Sequence, residues 1–473
     1  MLFTSPVFLY AFLPLFLALY AATPRGWRSL TIAVASYVFY GWWRPDFVLL
    51  MLVSTAVDYA CGRGIQRDRE QGRPRRRRWL VLSLVVNLGL LAWFKYANFG
   101  IDTLNQVRAA LGEPPIPWVD VVLPVGISFY TFQTLSYTVD VWRGVSPPVR
   151  NLRDFMCYVS MYPQLVAGPI VRYNTVAEQL HSRSHTLAKF GRGVLAFQIG
   201  LVKKVLVADV LGPLADAAFA VDDPTCLDAW IGILAYAFQI YFDFSGYSDM
   251  AIGLGLMIGF RLPINFDSPY RSISITDFWR RWHISLSSFL RDYLYIPLGG
   301  NRGSGRATYR NLMITMVLGG LWHGAAWTFV VWGGIHGGFL SLEHWRRQRR
   351  AARGLPEPPD NALRRTGQRL VTFHIVCLAW VFFRAESIET AFDLLGRLVW
   401  HWSDPSPLVT TSVLVAIAFG IGAQYIPKGA MSRAMATFSH LSPVTQGLAL
   451  GFALLVTNTL GPRGVAPFIY FQF

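Results

Sequence analysis

Long apolar runs alternate with short polar segments along the whole chain. The runs lie near 5–22, 29–43, 46–62, 79–97, 119–141, 192–210, 228–260, 311–342, 369–385, 408–425 and 442–460. A membrane helix needs about 20 predominantly apolar residues. The pattern therefore predicts an all-α polytopic membrane protein with about 10–12 membrane helices. Two stretches break the simple alternation. Met156 to Val171 is apolar but interrupted by Pro163 and Pro169, and Arg153 and Arg172 flank it. It reads as a re-entrant dip. The 311–342 run starts and ends at basic segments, so it must enter and return. Irregular backbone at membrane depth is tolerated only where protein or water surrounds it, so two such dips imply an internal cavity. No inter-run segment is long enough to fold alone, and the chain reads as one membrane domain, 1–473. No internal repeat is visible, which argues against an inverted-repeat transporter.

Composition agrees with this class. Hydrophobic residues make up 53% of the chain and charged residues only 15%, against about 25% charged in soluble proteins. Disorder, collagen and a disulfide scaffold are excluded. The four cysteines are scattered without C-x-x-C spacing, which suggests neither a metal site nor a redox pair. The first run lacks a basic leader and an A-x-A cleavage site, so it reads as a retained span.

Net charge is +16, and its placement matters more than its size. Residues 63–78, 261–310 and 344–369 carry eight arginines each. Segments 98–120, 212–228 and 386–407 carry one basic residue or none. Basic loops stay inside during insertion, so the first set is expected in the cytoplasm and the second outside, with both termini outside. Arg75–Arg78 is expected in the cytoplasm, Asp222 and Asp404 outside. The polybasic run is a topology anchor touching lipid headgroups, and no nucleic acid is expected as a partner.

Ionisable groups inside apolar runs are costly and usually functional. His323 lies in LGGLWHG, framed by Gly319, Gly320 and Gly324, which permit a helix break and close approach of a ligand. A desolvated imidazole stays neutral, as a general base requires; a hydrogen-bonded core histidine is the bland reading. In Asp277 to Ile296, Phe278, Trp282, Leu286, Phe289 and Tyr293 recur at helical spacing. Arg280, His283, Ser287 and Arg291 form a polar stripe beside them. This predicts an amphipathic interfacial helix, either a surface anchor or a face that meets a phosphate-bearing substrate. Asp243 and Asp249, around Gly246, are either a structural network at a helix kink or part of a substrate tunnel. His336, in GGIHGG, reads as structural.

There is no Walker loop, no G-x-S-x-G and no H-E-x-x-H. ATP-driven pumps, ordinary serine hydrolases and zinc proteases drop out. What remains resembles the membrane-bound O-acyltransferase family. The residues that carry the likeness are FYGWWRPDF (39–47), LAWFKYANFG (91–100), LPVGISFYTF (123–132), QLVAGPIVR (164–172), YFDFSGYSDMAIGLGLMIGF (241–260), FWRRWHISLSSFLRDYLYIPLGGNRG (278–303), GGLWHGAAWTFVVWGGIHG (319–337) and PFIYFQF (467–473). They run essentially from end to end, and the likeness is greatest to the bacterial branch that acts in alginate O-acetylation.

The resemblance implies a helical membrane fold with a central funnel and, as catalytic residue, the histidine of W-H-G, here His323. Many eukaryotic relatives have Asn where this branch has the His of R-W-H, here His283, a second catalytic candidate. Trp322, Asp243, Asp249, Arg280, Arg281 and Arg291 are the candidate substrate-binding residues. The implied donor is acetyl-CoA, a substrate rather than a bound cofactor, with no tightly bound cofactor or metal. The implied partners are membrane lipids and periplasmic polysaccharide O-acetyltransferases, and the implied site is the bacterial inner membrane. His323 would act as general base or as a transient acyl carrier. Other envelope polymers (cellulose, peptidoglycan, teichoic acid) are alternative acceptors, and a transporter without chemistry is the rival class.

Overall fold

In the computed structural model the described residues are 1–73, 76–220, 224–356, 360–399, 408–427, 429–462, 464 and 466–471. Arg75, Asp222 and Asp404, on which topology expectations rest, lie outside them. The described residues contain helices and no strand. Four helices are long and apolar enough to cross a membrane: Asp46–Glu70, Arg78–Ala110, Ala362–Arg384 and Pro443–Leu460. Others are shorter, such as Phe8–Ala22, or carry polar stretches. The chain divides into two compact units, residues 1–197 with 250–263, and residues 198–249 with 264–473.

The first unit is held by a buried carboxylate. Asp58, on Asp46–Glu70, accepts hydrogen bonds from Ser83 Oγ, from Asn87 Nδ2 at 2.7 Å and from Thr138 Oγ1 at 2.9 Å. Asn87 Oδ1 in turn accepts from Ser54 at 2.8 Å and Thr134 at 3.2 Å. Three helices, Asp46–Glu70, Arg78–Leu91 and Ile127–Arg143, are thereby tied through one fully satisfied polar cluster. Such a cluster favours one packing over its alternatives.

The break expected at Pro163 and Pro169 is present. Leu152–Ser160 ends at Met161, one short turn follows at Tyr162–Leu165, and the backbone then runs irregularly to Arg172, with 161–171 buried throughout. Side chains and tight packing satisfy it, as buried irregular backbone demands. Ser36 Oγ accepts from Tyr162 N at 3.0 Å, and the Tyr158 hydroxyl donates to Val171 O at 3.0 Å. At Gly168 a Cβ would lie 2.5 Å from Gln164 Cα, so only glycine fits.

One boundary differs from the apolar pattern. The 119–141 run becomes helical only at Ile127, and the preceding polar segment is helical as far as Ala110. Pro114, Pro115, Pro117 and Pro124 lack the N–H that a helix needs, and Gly126 enters the left-handed region at φ 77°.

The second unit contains a helical hairpin, Gly305–His323 followed by Trp327–Ala352. The chain thus folds back on itself within the 311–342 run. Its closeness comes from glycine. A Cβ on Gly320 would lie 2.2 Å from Phe329 O, and one on Gly333 would lie 2.4 Å from Met316 O. The glycines around His323 thus serve helix packing: Gly324 faces the Phe329 ring, and Gly319 faces Leu290.

Gly246 also differs from expectation. Cys226–Met257 is helical throughout, without a break at Gly246. A Cβ on Gly246 would lie 2.7 Å from Gly200 O, so the glycine permits a close backbone approach instead.

Candidate active site

The predicted continuous helix over Asp277 to Ile296 is interrupted. Ile275–Trp279 stops, and Ile284–Leu290 restarts after a turn. His283 occupies that turn in the left-handed region, at φ 42° and ψ 55°. A non-glycine residue there is strained by about 1–3 kcal/mol and persists only where its surroundings fix it. Asn265 is what fixes it. Its backbone oxygen accepts from Ile284 N at 3.0 Å. Its side-chain oxygen meets Ser285 N at 3.2 Å, Ser285 Oγ at 2.9 Å and His283 Nδ1 at 3.2 Å. The expected polar stripe therefore splits: His283 is fully buried, while Arg280 and Arg291 stay exposed.

His323 ends its helix and is 3% exposed. Rings enclose it, with centroid distances of 5.0 Å to Trp322, 5.2 Å to Trp332, 5.2 Å to Phe383, 5.5 Å to Tyr470 and 6.2 Å to His283. His283 packs edge-on against Phe244 at 4.7 Å and lies 5.9 Å from Trp322. Two imidazoles thus share one aromatic chamber with little access to water, where electrostatic interactions are strengthened. His336 is on the second arm of the hairpin, where Trp279 Nε1 donates to its Nδ1 at 3.3 Å. Trp332 stands between it and His323, with its ring 4.8 Å from His336.

The other candidates scatter. Asp243 pairs with Lys204 at 2.7 Å and accepts from Ile469 N at 2.8 Å. It thereby anchors the Ile469–Phe471 turn that carries Tyr470 to His323. Asp249 pairs with Lys203 at 2.6 Å. Arg281 is engaged by Asp277 at 2.9 Å and by Asp267 O at 3.3 Å. Arg291 pairs with its neighbour Asp292 at 2.7 Å. Arg280 makes no ion pair among the described residues, which leaves its charge open to a phosphate.

Sequence reasoning passed over Asn265, Lys204, Phe383 and Tyr470. Lys204 could have been found as a charge within the 192–210 apolar run, as could Asp58 within 46–62. Asn265 and Phe383 carry no local signal.

Comparison with known proteins gives the family. A family model, described as the membrane-bound O-acyltransferase family, matches residues 120–379. The chain is 44% identical to the probable alginate O-acetylase AlgI of Azotobacter vinelandii, over 100% of both chains. It is 51% identical to the probable alginate O-acetylase AlgI of Pseudomonas aeruginosa, over 83% of this chain and 74% of that protein. It is 38% identical to the peptidoglycan O-acetyltransferase of Helicobacter pylori, over 84% and 80%. With both chamber histidines inside the matched region, the chain belongs to the membrane-bound O-acyltransferase family.

Proposed function

We propose that the protein takes acetyl groups from cytosolic acetyl-CoA and passes them across the bacterial inner membrane for O-acetylation of exported alginate. The observation that carries this reading is the pairing of His323 with His283 in one buried aromatic chamber. The polymer follows from the relatives named for alginate O-acetylation.

In this mechanism His323 accepts the proton of an incoming hydroxyl as its oxygen attacks the thioester carbonyl. The tetrahedral adduct collapses, the C–S bond breaks, and the thiolate leaves with the proton from the imidazolium. An acyl-histidine relay is the alternative first step. The aromatic walls exclude water, which would otherwise hydrolyse the thioester. Arg280, Arg302 and Arg306, all exposed, meet the CoA phosphates on the cytoplasmic side. Arg281 and Arg291 contribute after exchanging their carboxylate partners. Trp322 walls the acyl position, while Asp243 and Asp249 act through the helices and the turn they hold. Both termini lie in the periplasm, and a periplasmic O-acetyltransferase finishes the transfer to the polymer.

The test is CoA release from acetyl-CoA by the purified full chain, with His323→Ala in parallel. No turnover by well-folded wild-type protein under any acceptor condition would favour the transporter reading. Likeness to the peptidoglycan enzyme supports a second acceptor. Acetyl content of exopolysaccharide and of peptidoglycan in a deletion strain separates the two.

A further inference from the structure

The hydrogen bonds around Asn265 decide the protonation of a buried histidine. The side-chain atom of Asn265 that faces His283 Nδ1 also faces the backbone N–H of Ser285, at 3.2 Å. A backbone N–H can only donate. That atom is therefore the amide oxygen, whichever way an isolated amide would be drawn. An oxygen acceptor 3.2 Å from Nδ1 requires the proton to sit on Nδ1. A neutral imidazole carries one N–H, so Nε2 keeps its lone pair. His283 Nε2 is buried and has no hydrogen-bond partner among the described residues. The ring is flanked by Phe244, Trp322 and His323.

We propose that Asn265 is a positioning residue that locks His283 as the Nδ1–H tautomer and so presents Nε2 as a hydrogen-bond acceptor to the hydroxyl entering the His323 chamber. The proposal rests on the acyl-transfer reading of that chamber. Three features make the lock firm. Asn265 grips both the histidine and the next two residues of the turn. His283 has a left-handed backbone, which makes it dependent on that grip. Asn265 Nδ2 donates to Ser248 Oγ at 3.4 Å, and turning the amide over would set its NH₂ against the N–H of Ser285.

The experiment uses the purified full chain with 15N-labelled histidine, and assigns the His283 signals by their loss in His283→Gln. Nitrogen chemical shifts separate a protonated from an unprotonated ring nitrogen. Wild-type protein is expected to show Nδ1 protonated and Nε2 bare; the opposite tautomer overturns the proposal whether or not the protein turns over acetyl-CoA. Absence of turnover with the expected tautomer overturns the acyl-transfer reading and, with it, the role given to Nε2, but leaves the lock. Three variants test the role itself. Asn265→Ala should mix the tautomers and lower kcat by tenfold or more, towards the roughly 10²–10⁴-fold that acid–base help supplies. Asn265→Asp keeps an oxygen for Nδ1–H and should restore both the tautomer and most of kcat. Ser285→Ala removes a bond to the same oxygen but leaves the histidine's, and should keep kcat within about threefold of wild type. If Asn265→Ala does not fold, the comparison of Asn265→Asp with Ser285→Ala decides. Equal losses of kcat in Asn265→Asp and Ser285→Ala, with unchanged nitrogen shifts, would reduce Asn265 to a turn staple.

Discussion

His283 and His323 face each other across 6.2 Å, centroid to centroid, with the Trp322 ring near both. That separation is too large for the ring nitrogens to hydrogen-bond directly. It suits a third polar atom between them, such as a hydroxyl oxygen. The two residues come from different elements, a strained turn and a helix end, so the spacing depends on both being held.

His323→Ala should give folded, membrane-inserted protein with acetyl transfer lowered by about 10²–10⁴-fold. His336→Ala is the matched control, since His336 is equally buried but separated from His323 by Trp332. Melting temperature and transfer are measured on the same samples. Normal transfer by folded His323→Ala protein would end the assignment of the base.

Among the arginines, Arg280→Ala should raise the apparent KM for acetyl-CoA and leave kcat nearly unchanged, the signature of lost ground-state binding. Arg281→Ala should instead lower the melting temperature, because Asp277 loses its partner. Reversal of these two phenotypes would move the phosphate contact to Arg281.

Steric demands of the hairpin predict a sharp contrast between two glycines. Gly320→Ala places a methyl 2.2 Å from Phe329 O, and forcing the helices apart costs about 1–3 kcal/mol. Gly334→Ala meets nothing within 4 Å and should be neutral or stabilising by up to about 1 kcal/mol. Thermal unfolding in detergent reads both. Equal melting temperatures would mean that the hairpin is less tightly packed than described.

Removing Asp58 should be felt as instability. Asp58→Ala leaves the donors of Ser83, Asn87 and Thr138 without their acceptor, at about 1–3 kcal/mol for each group left unsatisfied. Asp58→Asn should lose less. Yield and melting temperature check this, and wild-type stability in Asp58→Ala would show that water replaces the carboxylate.

Sidedness is open to cysteine labelling, and the four native cysteines are all buried. Arg76→Cys and Arg350→Cys should be shielded from impermeant thiol reagent in intact cells, while Leu111→Cys should react. Labelling at position 76 alone would invert the topology.

The sequence spoke clearly wherever one run of residues carries its own reason. The hairpin was legible because basic segments bracket a single apolar run, and the break near Met161 because two prolines stand there. The helix over Asp277 to Ile296 misled because Phe278, Trp282, Leu286, Phe289 and Tyr293 keep helical spacing across a turn that does not continue the helix. That turn is imposed by Asn265, 18 residues upstream of His283, and a periodicity cannot report a distant clamp. The glycines beside His323 were visible, but their purpose depends on Phe329 and Gly333 across the hairpin. Tyr470 reaches the chamber through the bond from Ile469 N to Asp243, which joins positions 226 residues apart.

On the proposed mechanism, that last connection separates the reaction from its selectivity. The histidines fall within residues 120–379, the stretch matched by the family model, whereas Phe383 and Tyr470 stand outside it while still bordering His323. Chimeras between relatives that exchange only the segment around Tyr470 would therefore inherit one parent's chemistry and the other parent's chamber wall. A change in which acyl group or alcohol fits could then evolve with no alteration to either histidine.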